Sequence, residues 1–302
     1  MATGAEPRRA ELPLPGGREG AAVRVRPLLC GTATWPTAWP HREEGRLAGA
    51  KALGLWPGSR SVVLPIVAYL VEHPAAGPIL VDTGLHPSIA VDPKQNLGRF
   101  HASTSMRTVR MEPQQAVAEQ LRSAGIEPSA VKLVVMTHLH YDHASAMSEF
   151  PGATFVFTRQ EWEAATEPRA LFQGYVRSNF DHAFDYRLLE FEGEEVGSFA
   201  SFGRAFDLLG DGSVRVAFTP GHTAGHMSVV LRTRSREVLA IGDAAYTEHT
   251  LSTSHLPYRM HDEHNFRRSL REIQRYAEQT PSALLVPGHD MEAWERLDPV
   301  YE

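Results

Sequence analysis

Thr137-His138-Leu139-His140-Tyr141-Asp142-His143 places three imidazoles and one carboxylate within six positions, directly behind the apolar run 131–136. Read as a strand running into a loop, the stretch sends His138, His140 and Asp142 to one side at period two, and His143 follows as the chain turns. One surface then receives four donors. Zinc and other borderline divalent ions take neutral imidazole nitrogen and carboxylate oxygen, and a catalytic site fixes only part of the coordination sphere so that water fills the rest. A chain with 15 histidines clusters some of them by chance, and a lone pair would decide nothing. The spacing H-x-H-x-D-H at a strand end, with suitable ligands downstream, points to a metal site.

Those ligands follow at the ends of later strands. The runs 214–218, 227–232, 238–241 and 283–286 read as strands. Three of them end on Thr219-Pro220-Gly221-His222, Gly242-Asp243 and Gly288-His289. The glycines permit tight turns that present the next side chain. His138, His140, Asp142, His143, His222, Asp243 and His289 are enough donors for two metals sharing a carboxylate. Each later residue alone is unremarkable; in this order, at strand ends, they form a specific signal. His226 lies four residues beyond His222, but the Thr-Ala-Gly between them argues against a helical ligand pair, and it reads as structural or as a support to the ligands. The loose run His249, His255, His261 and His264 reads as loop residues and is assigned no metal.

Working outward, the 302 residues carry 42% hydrophobic and 22% charged side chains, an ordinary globular composition. No run approaches the roughly 18 apolar residues of a membrane span, so a soluble chain without a membrane partner is expected. A net charge of −6 gives no broad basic surface for nucleic acid. The single cysteine, Cys30, rules out an internal disulfide. Residues 1–22 are rich in Gly, Ala, Pro, Arg and Glu without an apolar signal core, so a flexible tail and a cytoplasmic location are expected.

The alternating run 23–29 suits an edge strand, and 31–55, with Trp35 and Trp39, reads as a loop with aromatic anchors. Two strong strand signals, 61–71 and 78–83, are joined by a turn at 74–77 into a hairpin. Asp82, near the end of the second, could orient a metal-bound histidine or serve as an Asx-type turn residue. Residues 85–112 lose periodicity and read as a long polar loop, a lid or a partner-binding segment. Val117, Leu121 and Ala124 fall at helical spacing and lead into the metal-motif strand. Beyond the motif, 153–157 reads as a strand and 159–165 as a helix. The aromatic-rich 171–191 offers Phe172, Tyr175, Phe180, Phe184 and Tyr186 to a cleft or to local packing. Phe266, Leu270, Ile273 and Ala277 share one face of a late helix.

With these residues in place, the chain resembles the metallo-β-lactamase superfamily, whose H-x-H-x-D-H motif is followed by single His, Asp and His ligands in that order. The resemblance covers about 60 to 292. It implies an α/β fold, the four-layer αββα sandwich, as a single hydrolase domain over 23–302 with the site along one edge of the two sheets. It implies that His138, His140 and His222 hold one metal, that Asp142, His143 and His289 hold the other, and that Asp243 bridges them. Within the superfamily the stretches 159–165, 219–226, 242–247 and 288–290 are most similar to the N-acyl-homoserine lactone lactonases. There a tyrosine three residues after the bridging aspartate, here Tyr246, points into the site and contacts the substrate carbonyl. Ala144-Ser145-Ala146 departs from the glycine of many relatives, so the loop and the adjoining pocket are expected to differ.

Two adjacent divalent ions, Zn2+ the expected metal, lower the pKa of a bridging water far enough to supply hydroxide near neutral pH. The expected reaction is therefore opening of an N-acyl-homoserine lactone, a small-molecule substrate, by that hydroxide. Tyr246 would stabilise the developing oxyanion, and Asp142 would shuttle a proton to the departing ring oxygen. The alternatives are an ester or thioester hydrolase of the glyoxalase-II kind, a nuclease of the same superfamily, and a metal-binding protein without turnover. A homodimer is the assembly to test.

Overall fold

Alternation at period two sorts the strand residues onto opposite faces, and those faces account for the layers. The structure is a computed structural model that describes residues 4, 6–104 and 109–302, the backbone alone at 99–104. Among the described residues the strands form two sheets. The first contains β1 (Arg8–Arg9), β2 (Arg24–Pro36), β3 (Ser61–His73), β4 (Gly77–Val81), β5 (Val109–Arg110), β6 (Leu133–Val135), β7 (Thr154–Thr158) and β8 (Asp185–Leu189). Their order is β1-β8-β7-β6-β4-β3-β2-β5. The second contains β9 (Gly197–Phe199), β10 (Phe202–Asp207), β11 (Val214–Phe218), β12 (Met227–Arg232), β13 (Glu237–Gly242) and β14 (Leu284–Pro287), in the order β14-β13-β12-β11-β10-β9.

Along β3, Val67, Tyr69 and Val71 pack between the sheets against Val214, Val216, Val229 and Val238. The intervening Ile66, Ala68 and Leu70 face the other way, toward Val117 and Leu121 of the helix Val117–Ser123. On the far side of the second sheet Ala217, Val230, Leu239 and Ile241 lie under Phe266, Leu270, Ile273 and Tyr276 of the helix Glu263–Gln279. The layers therefore run helix, sheet, sheet, helix, as expected. Each large apolar side chain buried this way contributes about 1.5–3 kcal/mol. Asp262 starts the long helix by accepting from the Asn265 amide at 2.7 Å.

Strand direction positions the site. β4, β6 and β7 run parallel. β11 and β13 each run antiparallel to β12, so they share a direction, and β14 is parallel to β13. The loops after β11, β13 and β14 thus leave one edge of the second sheet, where they meet the loops after β4 and β6.

Several expectations differ from the structure. The stretch expected as a flexible tail is docked over much of its length: β1 pairs with β8, the Leu14 amide donates to the Leu208 carbonyl, and Leu14 and Ala21 are buried. Too few apolar residues lie there for a periodic signal. β2 extends to Pro36 and a short helix spans Ala48–Ala52, so 31–55 is not all loop. Residues 85–112 are not a structureless lid, because they contain the helix Pro93–Thr104. Gly98 interrupts that helix with φ 66° and breaks its periodicity in sequence; Met106 lies outside the described residues. Tyr276, rather than Ala277, completes the buried face of the long helix. Among the described residues no helix is long and apolar enough to cross a membrane.

Candidate metal centre

β6 stops at Val135, and His140 makes only an isolated bridge to Tyr175 before the single helical turn Tyr141–Ala144. The expected period-two projection of His138, His140 and Asp142 is therefore corrected. A turn followed by a turn of helix, rather than strand alternation, aims these donors. From the second sheet, β11 leads to His222, β13 to Asp243 and β14 to His289. Gly221, at φ +135°, brings the backbone so close to the long helix that an added Cβ would lie 2.2 Å from the Phe266 amide nitrogen. That approach needs glycine.

The structure brings together all seven residues expected as ligands. One donor atom each from His138, His140 and His222 lie within 4.8 Å of one another, as do those of Asp142, His143 and His289. His138, His143 and Asp243 form a third such group across the other two. Asp243 turns one oxygen to each side. Its Oδ2 is 3.2 Å from His222 Nε2 and 3.9 Å from His138 Nε2. Its Oδ1 is 3.1 Å from His289 Nε2 and 3.4 Å from His143 Nε2.

The rear nitrogens are held. Asp82 Oδ2 lies 2.8 Å from His143 Nδ1, the Pro65 carbonyl 2.8 Å from His289 Nδ1, and the Thr137 hydroxyl 3.0 Å from His138 Nδ1. Such partners fix the tautomer and the ring orientation of a ligating imidazole. Asp82 also accepts from the Thr137 amide and hydroxyl at 2.7 and 2.8 Å. It takes φ 60°, uncommon for a residue other than glycine. Of its two sequence readings, the support to a histidine is the one its contacts match. His226 accepts from the Asp243 amide at 2.9 Å and so supports that loop.

Three of the inward-facing donor atoms lack partners. His138 Nε2, His143 Nε2 and Asp243 Oδ1 are buried without a hydrogen bond. An unsatisfied buried polar group costs about 1–3 kcal/mol, and cations held in these groups would relieve all three. The imidazole and carboxylate set is that of a borderline divalent ion. The residues fit a metal.

Burial, reinforced by neighbouring imidazoles, holds His138 and His140 well below the ordinary histidine value; burial takes His222 down to about 3. These rings are neutral, as ligation requires. For His143 and His289 burial works in the same direction but is outweighed by carboxylates, Asp82 foremost for the first and Asp243 for the second, and both rise. Burial would raise Asp243, yet His289, His222 and His143 hold it well below the carboxylate range. Tyr246 is buried with its hydroxyl 3.3 Å from His222 Nδ1 and its ring centroid 5.3 Å from that of His289. Burial, then Asp243 and Asp142, keep that hydroxyl protonated. Asp142 retains 17% side-chain exposure and marks the open side.

Of the aromatics in 171–191, Tyr175 packs on His140 with ring centroids 4.7 Å apart, while Phe180 and Tyr186 are fully buried in the first core and Phe172 is exposed. Ser145, in the stretch that departs from glycine, accepts from the His86 amide at 2.7 Å. His249 and His255 pack ring to ring with His41, away from the three donor groups. Glu161 is the residue that sequence reasoning passed over. Thr158-x-x-Glu161 reads as a helix start, but the carboxylate instead accepts from the Leu139 amide inside the metal motif at 2.9 Å.

The metallo-beta-lactamase superfamily matches residues 62–289. The N-acyl homoserine lactonase AttM of Agrobacterium fabrum (strain C58) is 32% identical over 234 residues, 76% of this chain and 84% of that protein. The solved structure of an N-acyl homoserine lactone hydrolase, with the product N-hexanoyl-L-homoserine at its catalytic metal centre, aligns with a TM-score of 0.71 at 22% identity. It covers 91% of this chain and 96% of that one. AidC, a dizinc quorum-quenching lactonase, aligns with a TM-score of 0.60 at 13% identity over 89% of this chain and 88% of that one. At those identities the two structures speak for the fold alone. The motif, the layers, the converging donors and the match over most of the sequence agree, and the chain belongs to the metallo-beta-lactamase superfamily.

Proposed function

We propose that the chain is a quorum-quenching lactonase that hydrolyses the ring ester of N-acyl homoserine lactones. The metals of this reading are two Zn2+ ions: His138, His140 and His222 would hold one, Asp142, His143 and His289 the other, with Asp243 shared. The observation that carries it is the convergence of seven donors, three atoms of which are buried and partnerless, beside the protonated hydroxyl of Tyr246. The likeness to AttM supplies the substrate class. The same reading takes residues 23–302, with the N-terminal segment docked on them, as one cytoplasmic hydrolase domain, as monomer or homodimer, with a small-molecule substrate and no nucleic-acid or membrane partner.

Ions held there would supply a water acidic enough to act as nucleophile near neutral pH, and positive charge for the carbonyl and leaving oxygens. Tyr246 donates its O–H to the lactone carbonyl oxygen as negative charge develops on it. Packing of the ring between His222 and His289 preorganises this donor. Asp142, on the open side and 3.6 Å from His289 Nε2, takes a proton from the attacking water and passes it to the ring oxygen as the C–O bond breaks. Water is added across that bond, and the product is the open-chain N-acyl homoserine.

The test is proton release measured across short- and long-chain acyl-homoserine lactones, simple γ-lactones, a thioester and a β-lactam. Opening of the acyl-homoserine lactones, abolished by a chelator and restored by Zn2+, is expected. Turnover of the thioester alone would replace this reading with a glyoxalase-II-like one.

A further inference from the structure

We propose that Glu161 is the positioning residue for one half of the metal centre, holding the His140 loop and the His222 loop in register from behind. The inference rests on the two-metal reading of the site.

Glu161 lies on the helix Arg159–Thr166 just beyond β7 and is fully buried. Its Oε1 accepts from the Leu139 amide at 2.9 Å, and Leu139 separates His138 from His140. Its Oε2 accepts from the Thr223 hydroxyl at 2.6 Å and from the Gly225 amide at 3.2 Å, and Thr223 follows His222. One carboxylate thus joins a ligand loop of the first sheet to a ligand loop of the second. The ring of Tyr175 packs on His140.

The second loop is pressed against the start of this helix. A Cβ on Gly225 would lie 2.2 Å from the Glu161 amide nitrogen and 2.1 Å from the Thr158 hydroxyl. That hydroxyl accepts from the Glu161 amide at 3.0 Å and donates to the Gly225 carbonyl at 2.8 Å. Between the clamped loops His140 Nδ1 and His222 Nε2 stand 3.0 Å apart. The other half has its own supports, Asp82 behind His143 and the Pro65 carbonyl behind His289. A carboxylate buried this deeply is expensive unless hydrogen bonds satisfy it, and here the groups that satisfy it belong to the ligand loops. Glu161 therefore acts on the His138, His140 and His222 group and leaves the Asp142, His143 and His289 group alone.

The experiment is competition between the full-length protein and a chromophoric chelator for Zn2+, on wild type, Glu161→Gln and the milder Thr223→Val. The thermal midpoint of each metal-free chain is followed in parallel. Wild type is expected to take two equivalents. Glu161→Gln should weaken one of them by about 10–100-fold, the usual effect of removing an outer-shell partner, and change the other less than about twofold. Thr223→Val should act on the same equivalent to a smaller degree, and it decides the matter should Glu161→Gln fail to fold. In a His289→Ala background the effect of Glu161→Gln on the remaining ion should persist; in a His140→Ala background it should vanish. Equal weakening of both equivalents, or of neither, overturns the role. A wild-type chain that binds fewer than two ions overturns the two-metal reading itself, a separate result.

Discussion

Tyr246 and Asp243 stand three positions apart in the chain and have separable duties in the proposed reaction. Tyr246→Phe removes one hydroxyl 3.3 Å from His222 Nδ1 and leaves all seven donor residues in place. It should keep two equivalents of metal and lower kcat by roughly 10²-fold, the scale of one lost oxyanion donor. Asp243→Asn weakens the carboxylate that faces both groups and should lower metal content and rate together. Metal analysis beside steady-state kinetics separates the two; equal metal loss in both variants would contradict the assignment. The seven donors were legible in sequence because residue type and spacing state ligand chemistry directly. Glu161 was not, since its partners are amides and a hydroxyl 22 to 64 positions away whose nearness only the fold creates. Asp82 was half legible: its place at a strand end was visible, its contact with His143 was not.

Among the elements, those with an unbroken pattern were read correctly and those with an interruption were missed. The β3–β4 hairpin shows as two apolar runs on either side of a turn, and the helix Glu263–Gln279 carries Phe266, Leu270 and Ile273 at a spacing of three to four. Gly98 hid the helix Pro93–Thr104, β9 is too short to register, and Gly203-Arg204 interrupts the apolar residues of β10. The strand-end turns make a prediction at this scale. Gly221→Ala drives a methyl into the backbone at Phe266 and forces φ +135° on a residue that resists it. Both His222 and the helix contact should suffer, so the thermal midpoint and the Zn2+ stoichiometry should fall together in calorimetry and metal analysis. A variant that is less stable yet keeps both ions would show that the turn does not position His222.

For the whole molecule, the four layers follow from side-chain alternation in the two sheets, and the meeting of β4 and β6 loops with those after β11, β13 and β14 follows from strand direction. The docked N-terminal segment was illegible because backbone bonds and single contacts hold it. Asp211 is one such contact. It accepts from the Arg18 amide at 2.8 Å and from the Ser213 amide at 2.9 Å, and it lies 3.0 Å from His73 Nε2 in the β3–β4 hairpin. Burial would raise this carboxyl, but the hydrogen bonds outweigh it and bring the value from 3.8 to about 2. A group whose folded value lies below its unfolded one contributes stability that is complete above the unfolded value and is lost as pH falls through the folded one. Between about pH 4 and 2 Asp211→Asn should therefore show a shallower loss of stability than wild type in acid titrations followed by circular dichroism. Parallel acid limbs would remove Asp211 from the account.

The convergence of seven side chains on two ions is the claim on which the proposed chemistry stands, and anomalous diffraction from zinc-loaded crystals tests it most directly. The account predicts two peaks per chain, one among His138, His140 and His222 and one among Asp142, His143 and His289, with Asp243 between them. A single peak, or peaks outside these groups, would contradict it.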